Sequence, residues 1–301
     1  MTNPNVRLAV KTMAAIEEAI ERDQGAAYRG YLKRVLPHIS DAYREEEDGF
    51  RSHLGASVIG KECARATYYS WRWFTKSKFS GRIVRLFNRG HLEEGRVIAA
   101  LLTIGCQVYQ QDSEGNQFRI THAGGHMGGA GDGVVTGIPD LPPDTPALCE
   151  FKTFKDALFK KLKKDGVKIA KPEHYVQMSI YMEKMAIPIA IYFGVNKDTD
   201  EIYSEIVILN RYHADEYLKL GESIVFAKEP PERISDTPGY YKCHFCNERP
   251  HCHKLGGKIE INCRTCVKSE PLPDGSWVCK LHNIVLTKDA QLNGCGDHSP
   301  I

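Results

Sequence analysis

Seven of the ten cysteines fall between Cys243 and Cys295, in short-spaced groups, and this crowding restricts the fold more than any other feature of the 301 residues. The stretch is rich in Cys, His, Gly and Lys and poor in aliphatics, so it cannot rely on an apolar core and needs crosslinks or metals to hold it. The N-terminus, MTNPNVRLAVKTMAAIEEAIERD, lacks a basic segment followed by an uninterrupted apolar one, and no apolar run reaches spanning length. The expected compartment is the cytoplasm, with no membrane partner. Disulfides are rare there, so the clustered cysteines read as metal ligands, while Cys63, Cys106 and Cys149 stand scattered.

The length exceeds a typical single domain and falls short of two, which fits one large domain with an appended module. Composition and breakers divide the chain into a helical N-terminal extension over 1–59, a core over 60–255 and a cysteine-rich tail over 256–301. The apolar fraction of 42% and charged fraction of 26% exclude wholesale disorder and fibrous repeats. Net charge is only +2, so attraction to nucleic acid must come from local patches.

Val10, Met13, Ile16 and Ile20 share one face of a helical stretch from Val6 to about Glu47. The aromatic run Tyr68, Tyr69, Trp71, Trp73 and Phe74 could stack on bases but more often packs inside, the reading favoured here. A helix is expected from Phe87 to about Ile104, ended by Gly105, and a strand over Gln107–Gln111. Short strands follow over Phe118–Ile120 and Asp132–Thr136. The proline-rich IPDLPPDTPA reads as a loop before a strand at Ala147–Thr153. A helix over Lys171–Met185, a hairpin of Ile187–Asn196 with Ile202–Leu209, and a helix over Arg211–Ala227 complete the pattern. This is an α/β chain with a central mixed sheet flanked by helices.

The chemistry centres on GGHMGGAGDGVV, which carries Asp132, and on LCEFKTF, which carries Glu150 and Lys152. Two positions apart on a strand, Glu150 and Lys152 address one face while Phe151 turns to the other. Carboxylates at such a site hold hard cations such as magnesium or manganese, and a lysine can orient water or bind phosphate. An isolated Glu-x-Lys is as well explained by a solvated pair on an edge strand. Two further features outweigh that reading. In PEHYVQMSIYM, Gln177 and Tyr181 share a helix face, and in NRGHLEEGR, His91 and Glu94 lie three apart on a helix.

In this order the motifs resemble the PD-(D/E)XK nuclease superfamily, in particular its RecB-like branch with the CRISPR-associated iron-sulfur and phage exonucleases, over roughly residues 60 to 255. The resemblance implies a restriction-endonuclease-like core and metal-dependent hydrolysis of DNA, more often exonucleolytic. By the same analogy the role is recombination, repair or end processing, and the origin a phage. Asp132 and Glu150 would bind the metal, helped by the Cys149 or Phe151 carbonyl. Glu94 fits the third position, with His91 one turn before it as a second candidate. Lys152 would position the attacking water, and Gln177 and Tyr181 would support the site or touch the DNA backbone.

From Lys152 through Lys171 eight lysines stand against two aspartates. Such a run is usually a solvated face, but Lys160, Lys161, Lys163 and Lys164 beside a phosphate-cutting site are placed to grip DNA, with Arg82, Arg85 and Arg89 extending the surface.

The three ligands Cys243, Cys246 and Cys252 lack a fourth nearby. The iron-sulfur nucleases take one cysteine from before the core, and by that resemblance Cys63 would complete a [4Fe-4S] cluster. The alternative is zinc, with His244, His251 or His253 as fourth ligand. The tail offers Cys263-x2-Cys266, Cys279-x2-His282 and Cys295-x2-His298, a strong zinc signal with six candidates for four places. Its resemblance to zinc-knuckle tails selects Cys263, Cys266, Cys279 and Cys295, with His282 as rival. Besides DNA, a recombination or replication protein is an expected partner. Two other functions stay open: a non-catalytic DNA-binding or assembly protein with structural iron-sulfur and zinc sites, and a zinc-finger regulator that binds DNA without degrading it.

Overall fold

The computed structural model describes residues 3–46 and 49–301. Two compact units emerge, each discontinuous in sequence: one from 1–47, 79–120 and 130–214, the other from 48–78, 121–129 and 215–301. Among the described residues no helix is long and apolar enough to cross a membrane.

The first unit is built on a five-stranded mixed sheet whose spatial order follows the chain: Gln107–Tyr109, Val134–Thr136, Ala147–Phe154, Ile189–Asn196 and Ile202–Ile208. Neighbours pair antiparallel except Ala147–Phe154 with Ile189–Asn196, which run parallel. A parallel pair needs a long crossover, and the helices Asp156–Asp165 and Pro172–Met185 provide it. Sequence reading leaves the first of these as a connecting segment. It is a helix because Phe159 and Leu162, three apart, bury fully against the sheet while its lysines face outward. The fit is close: a Cβ on Gly194 would stand 2.7 Å from Leu162 Cδ2.

The expected N-terminal helix divides into Val10–Arg22 and Ala26–Val35, followed by two short 3-10 turns; Glu47, its expected end, lies outside the described residues. Ile16 and Val35 join Val97, Ile98, Leu101, Cys149, Phe151 and Phe193 in one apolar core, so these helices help cover the sheet. The first of them has no local side-chain cap. Asp140, from the proline-rich loop, instead accepts from the Lys11 and Thr12 amides (3.1 and 2.7 Å) and the Thr12 hydroxyl, which satisfies orphan donors at the positive end of the helix.

In the second unit Leu54–Gly55 pairs parallel with Met127–Ala130, and the tail forms an antiparallel sheet of Ser269–Pro271, Trp277–Cys279 and Ile284–Val285. The aromatic run packs inside, as expected: Tyr68, Tyr69, Trp71, Trp73 and Phe74 are all buried.

Candidate metal centres

Glycine decides where the carboxylate site opens. Gly133 has φ of +142°, and a Cβ there would stand 2.8 Å from Tyr109 O, so no other residue fits the turn into the strand. Pairing between the strands Val134–Thr136 and Ala147–Phe154 ends just here. The Cys149 amide still donates to Gly133 O at 2.9 Å, but the Phe151 amide donates to Asp132 Oδ2 at 2.8 Å, a carboxylate replacing the next ladder carbonyl. Asp132 is thereby fixed beside Glu150 and Lys152.

Lys152 Nζ contacts Glu150 Oε1, lies 3.9 Å from Asp132 Oδ2 and donates to Phe151 O at 3.1 Å. The other Glu150 oxygen accepts from Gln177 Nε2 at 3.1 Å. Tyr181, one turn on, is buried beside Gln177. On the helix Gly81–Thr103, His91 Nδ1 stands 3.5 Å from Glu94 Oε1, and Glu94 interacts with both Asp132 and Lys152. The structure thus brings His91, Glu94, Asp132, Glu150, Lys152, Gln177 and Tyr181 into one neighbourhood.

The electrostatics are those of crowded acids around one cation. Glu150 is fully buried, and burial pushes its pKa up to about 8; Lys152 pulls against that shift and Asp132 adds to it. Burial likewise raises Glu94, opposed by the neighbouring His91 ring and reinforced by Asp132. For Lys152 burial disfavours the charge, but Glu150 and Asp132 outweigh it and hold the ammonium protonated. Three hard carboxylates, Glu94, Asp132 and Glu150, form a donor set suited to a divalent cation, with the Phe151 carbonyl alongside. Their oxygens are not gathered tightly. Among the described residues, the trio of ligand atoms within 4.8 Å of one another is His282, Cys295 and Asp297.

Sequence reasoning missed a polar pair behind the site. His174 Nδ1 and the Tyr192 hydroxyl are 2.8 Å apart, and Tyr192 is the cross-strand partner of Glu150. Burial, then Lys152 and Lys171, drives the His174 pKa down to about 3, so the ring is neutral. His174 lies one turn before Gln177, a spacing that could have marked it.

Cys63, Cys243, Cys246 and Cys252 line a common cavity with Tyr69, Arg233 and His253. Cys63 caps the helix Ala64–Trp71, its sulfur accepting from the Ala66 amide at 3.4 Å. Burial raises the Cys243 thiol, as do Cys252 and Cys63. Of the three candidate histidines His253 lines the cavity, with Nε2 buried and making no hydrogen bond, whereas His244 is exposed and its ring meets Phe245. All six tail candidates line a second cavity. Burial raises the Cys263 thiol, followed by Cys295, Cys279 and Cys266. His298 Nε2 is engaged with the Thr265 hydroxyl at 3.0 Å, and His282 Nε2 lies 3.2 Å from Asp297 Oδ2.

Between Cys263 and Cys266 sits a residue the sequence does not flag. Arg264 is buried, with its guanidinium 4.4, 3.9 and 4.6 Å from the ring centres of Trp71, Trp73 and Trp277. It donates to Gln291 Oε1 and to the carbonyls of Trp71 and Ser52. The lysine run is exposed: Lys160 pairs with Asp156 and Lys163 with Glu201, while Arg89 donates to Lys197 O at 2.7 Å.

No protein-family profile matches the chain, and no curated protein matches it. Two solved structures of an alkaline exonuclease, LHK-Exo, from Laribacter hongkongensis are similar to it. One, in complex with dAMP, shares 16% identity at a TM-score of 0.41, covering 57% of this chain and 86% of that one. The other shares 12% identity at a TM-score of 0.39, covering 65% and 90%.

Proposed function

We propose that this chain is a metal-dependent nuclease that hydrolyses phosphodiester bonds in DNA. The observation that carries the reading is the Lys152 ammonium held between Glu150 and Asp132, with Gln177 bound to the second Glu150 oxygen. Asp132, Glu150 and Glu94 would hold magnesium or manganese, with His91 and the Phe151 carbonyl as further donors. The cation would supply an activated water and offset charge on the leaving oxygen. Lys152, displaced from the carboxylates, would orient that water or take up negative charge on the phosphate. Gln177 would fix Glu150 in the orientation that binds, and Tyr181 would close the back of the site. The finer reading is an exonuclease in recombination, repair or end processing, with a [4Fe-4S] cluster on Cys63, Cys243, Cys246 and Cys252 and zinc on Cys263, Cys266, Cys279 and Cys295.

The test is incubation of purified protein with end-labelled linear and closed circular DNA, with and without magnesium or manganese. Metal-dependent loss of linear DNA is expected, and Asp132→Ala, Glu150→Ala or Lys152→Ala should each reduce it on the order of a thousand-fold while the protein still folds. Full activity in Glu150→Ala would remove the reading. DNA binding without cleavage by the wild-type protein would favour the assembly-protein alternative.

A further inference from the structure

The helix Gly81–Thr103 is two different surfaces in one rod. Its C-terminal half carries Val97, Ile98 and Leu101 into the core, but from Gly81 to Leu92 it buries no residue. Alongside its arginines this half leaves large apolar side chains outside, which a merely solvated helix would not carry. Phe79 is 51% exposed, Val84 54% and Phe87 46%, and the Phe79 and Phe87 rings meet edge to face at 5.0 Å.

Spacing gives this patch a direction. Val84, Phe87, His91 and Glu94 follow one another at intervals of three, four and three residues, which places them along a single helical stripe. The exposed apolar side chains therefore lead straight to the carboxylate site. Seven residues separate Phe87 from Glu94, about 10 Å along the axis, or roughly three stacked base steps.

Charge identifies the occupant. From Phe79 to Leu92 there is no acidic residue, and Arg82, Arg85 and Arg89 ride on the remaining faces of the same turns. We propose that Phe79, Val84 and Phe87 form a stacking surface for an unpaired strand of nucleic acid leading into the carboxylate site. This deepens the nuclease reading and rests on it. Aromatic faces accept any base, and nearby arginines attract the phosphates without reading sequence, the combination used by proteins that bind single strands. The substrate class is a single-stranded end or a duplex end whose last pairs have opened.

The experiment uses full-length Glu150→Gln protein without divalent metal, so that binding is read apart from cleavage. Fluorescence anisotropy compares a labelled oligothymidine with a blunt duplex of equal length. Phe79→Ala with Phe87→Ala should weaken oligothymidine binding on the order of ten-fold and leave the salt dependence unchanged, because the lost contacts neutralise no phosphate. Phe87→Trp should retain binding, and its added emission should be quenched by the oligonucleotide, which keeps the test valid if the alanine pair folds poorly. Equal affinity before and after the alanine changes, with no quenching in Phe87→Trp, overturns the proposal. So does loss of self-association or of vesicle binding with oligothymidine affinity intact, which would give the face to a second copy or a lipid surface. Cleavage by the wild-type protein with magnesium is measured separately, so failure of the nuclease reading is seen independently.

Discussion

At the residue scale, the proposed nuclease site would be governed by a proton that competes with the metal. Burial holds the Glu150 pKa near 8 against an ordinary 4.5, so near neutrality the carboxyl keeps its proton and a cation must displace it. Apparent affinity for magnesium or manganese is expected to rise about ten-fold per pH unit from about pH 6 and to level off above about pH 8. Without metal, the raised pKa contributes stability that is fully present below 4.5 and lost as pH rises through about 8, so the metal-free melting temperature should fall across that window and metal should restore it. Titration calorimetry in buffers of different ionisation heat checks the proton release; pH-independent affinity would refute it. Glu150 and Lys152 were legible because a strand's two-residue period places them together whatever else the chain does. His174 and Tyr192 were not, since their pairing depends on which strand lies beside Ala147–Phe154, and one strand's pattern does not encode its neighbour.

At the element scale, local periodicity found most helices and strands but not the helix Asp156–Asp165. Only Phe159 and Leu162 mark its buried stripe, and the four lysines and two aspartates around them read as loop or solvated face until the sheet they cover is known. The structure also separates the lysines. Lys160 and Lys163 have acidic partners, whereas Lys161 and Lys164 are exposed and form no ion pair among the described residues. Replacing all four with alanine should weaken DNA binding and flatten its dependence on salt, with Lys161 and Lys164 accounting for most of the change, because a lysine already paired releases fewer counterions. Affinity measured from about 50 to about 200 mM salt would show this, and an unchanged slope would leave the helix as a solvated face.

At the scale of the whole molecule, the chain interleaves its units, and what holds distant stretches together was only partly visible. Arg264 gathers all three tryptophans of the protein around one guanidinium, which no pattern in CRTC announces because an arginine between two cysteines reads as surface. Arg264→Leu should cost about 3 kcal/mol and shift tryptophan emission to the red, and Arg264→Lys should restore little of it, since an ammonium cannot reproduce the flat, forked contacts. The cysteines, by contrast, were legible in number and spacing, and the expectation that Cys63 belongs with Cys243, Cys246 and Cys252 leads to the sharpest test. The four line one cavity although Cys63 precedes the others by 180 residues or more, so a cluster there would close a very long loop and remove much freedom from the unfolded chain. Protein purified without oxygen should be brown and carry about four irons per chain, with one zinc besides. Cys63→Ser should abolish the iron and lower the melting temperature while the zinc remains. A colourless anaerobic preparation with two zincs, unaffected by Cys63→Ser and losing one zinc in His253→Ala, would place the first three cysteines in a local site with His253, whose buried and unbonded Nε2 already faces that possibility.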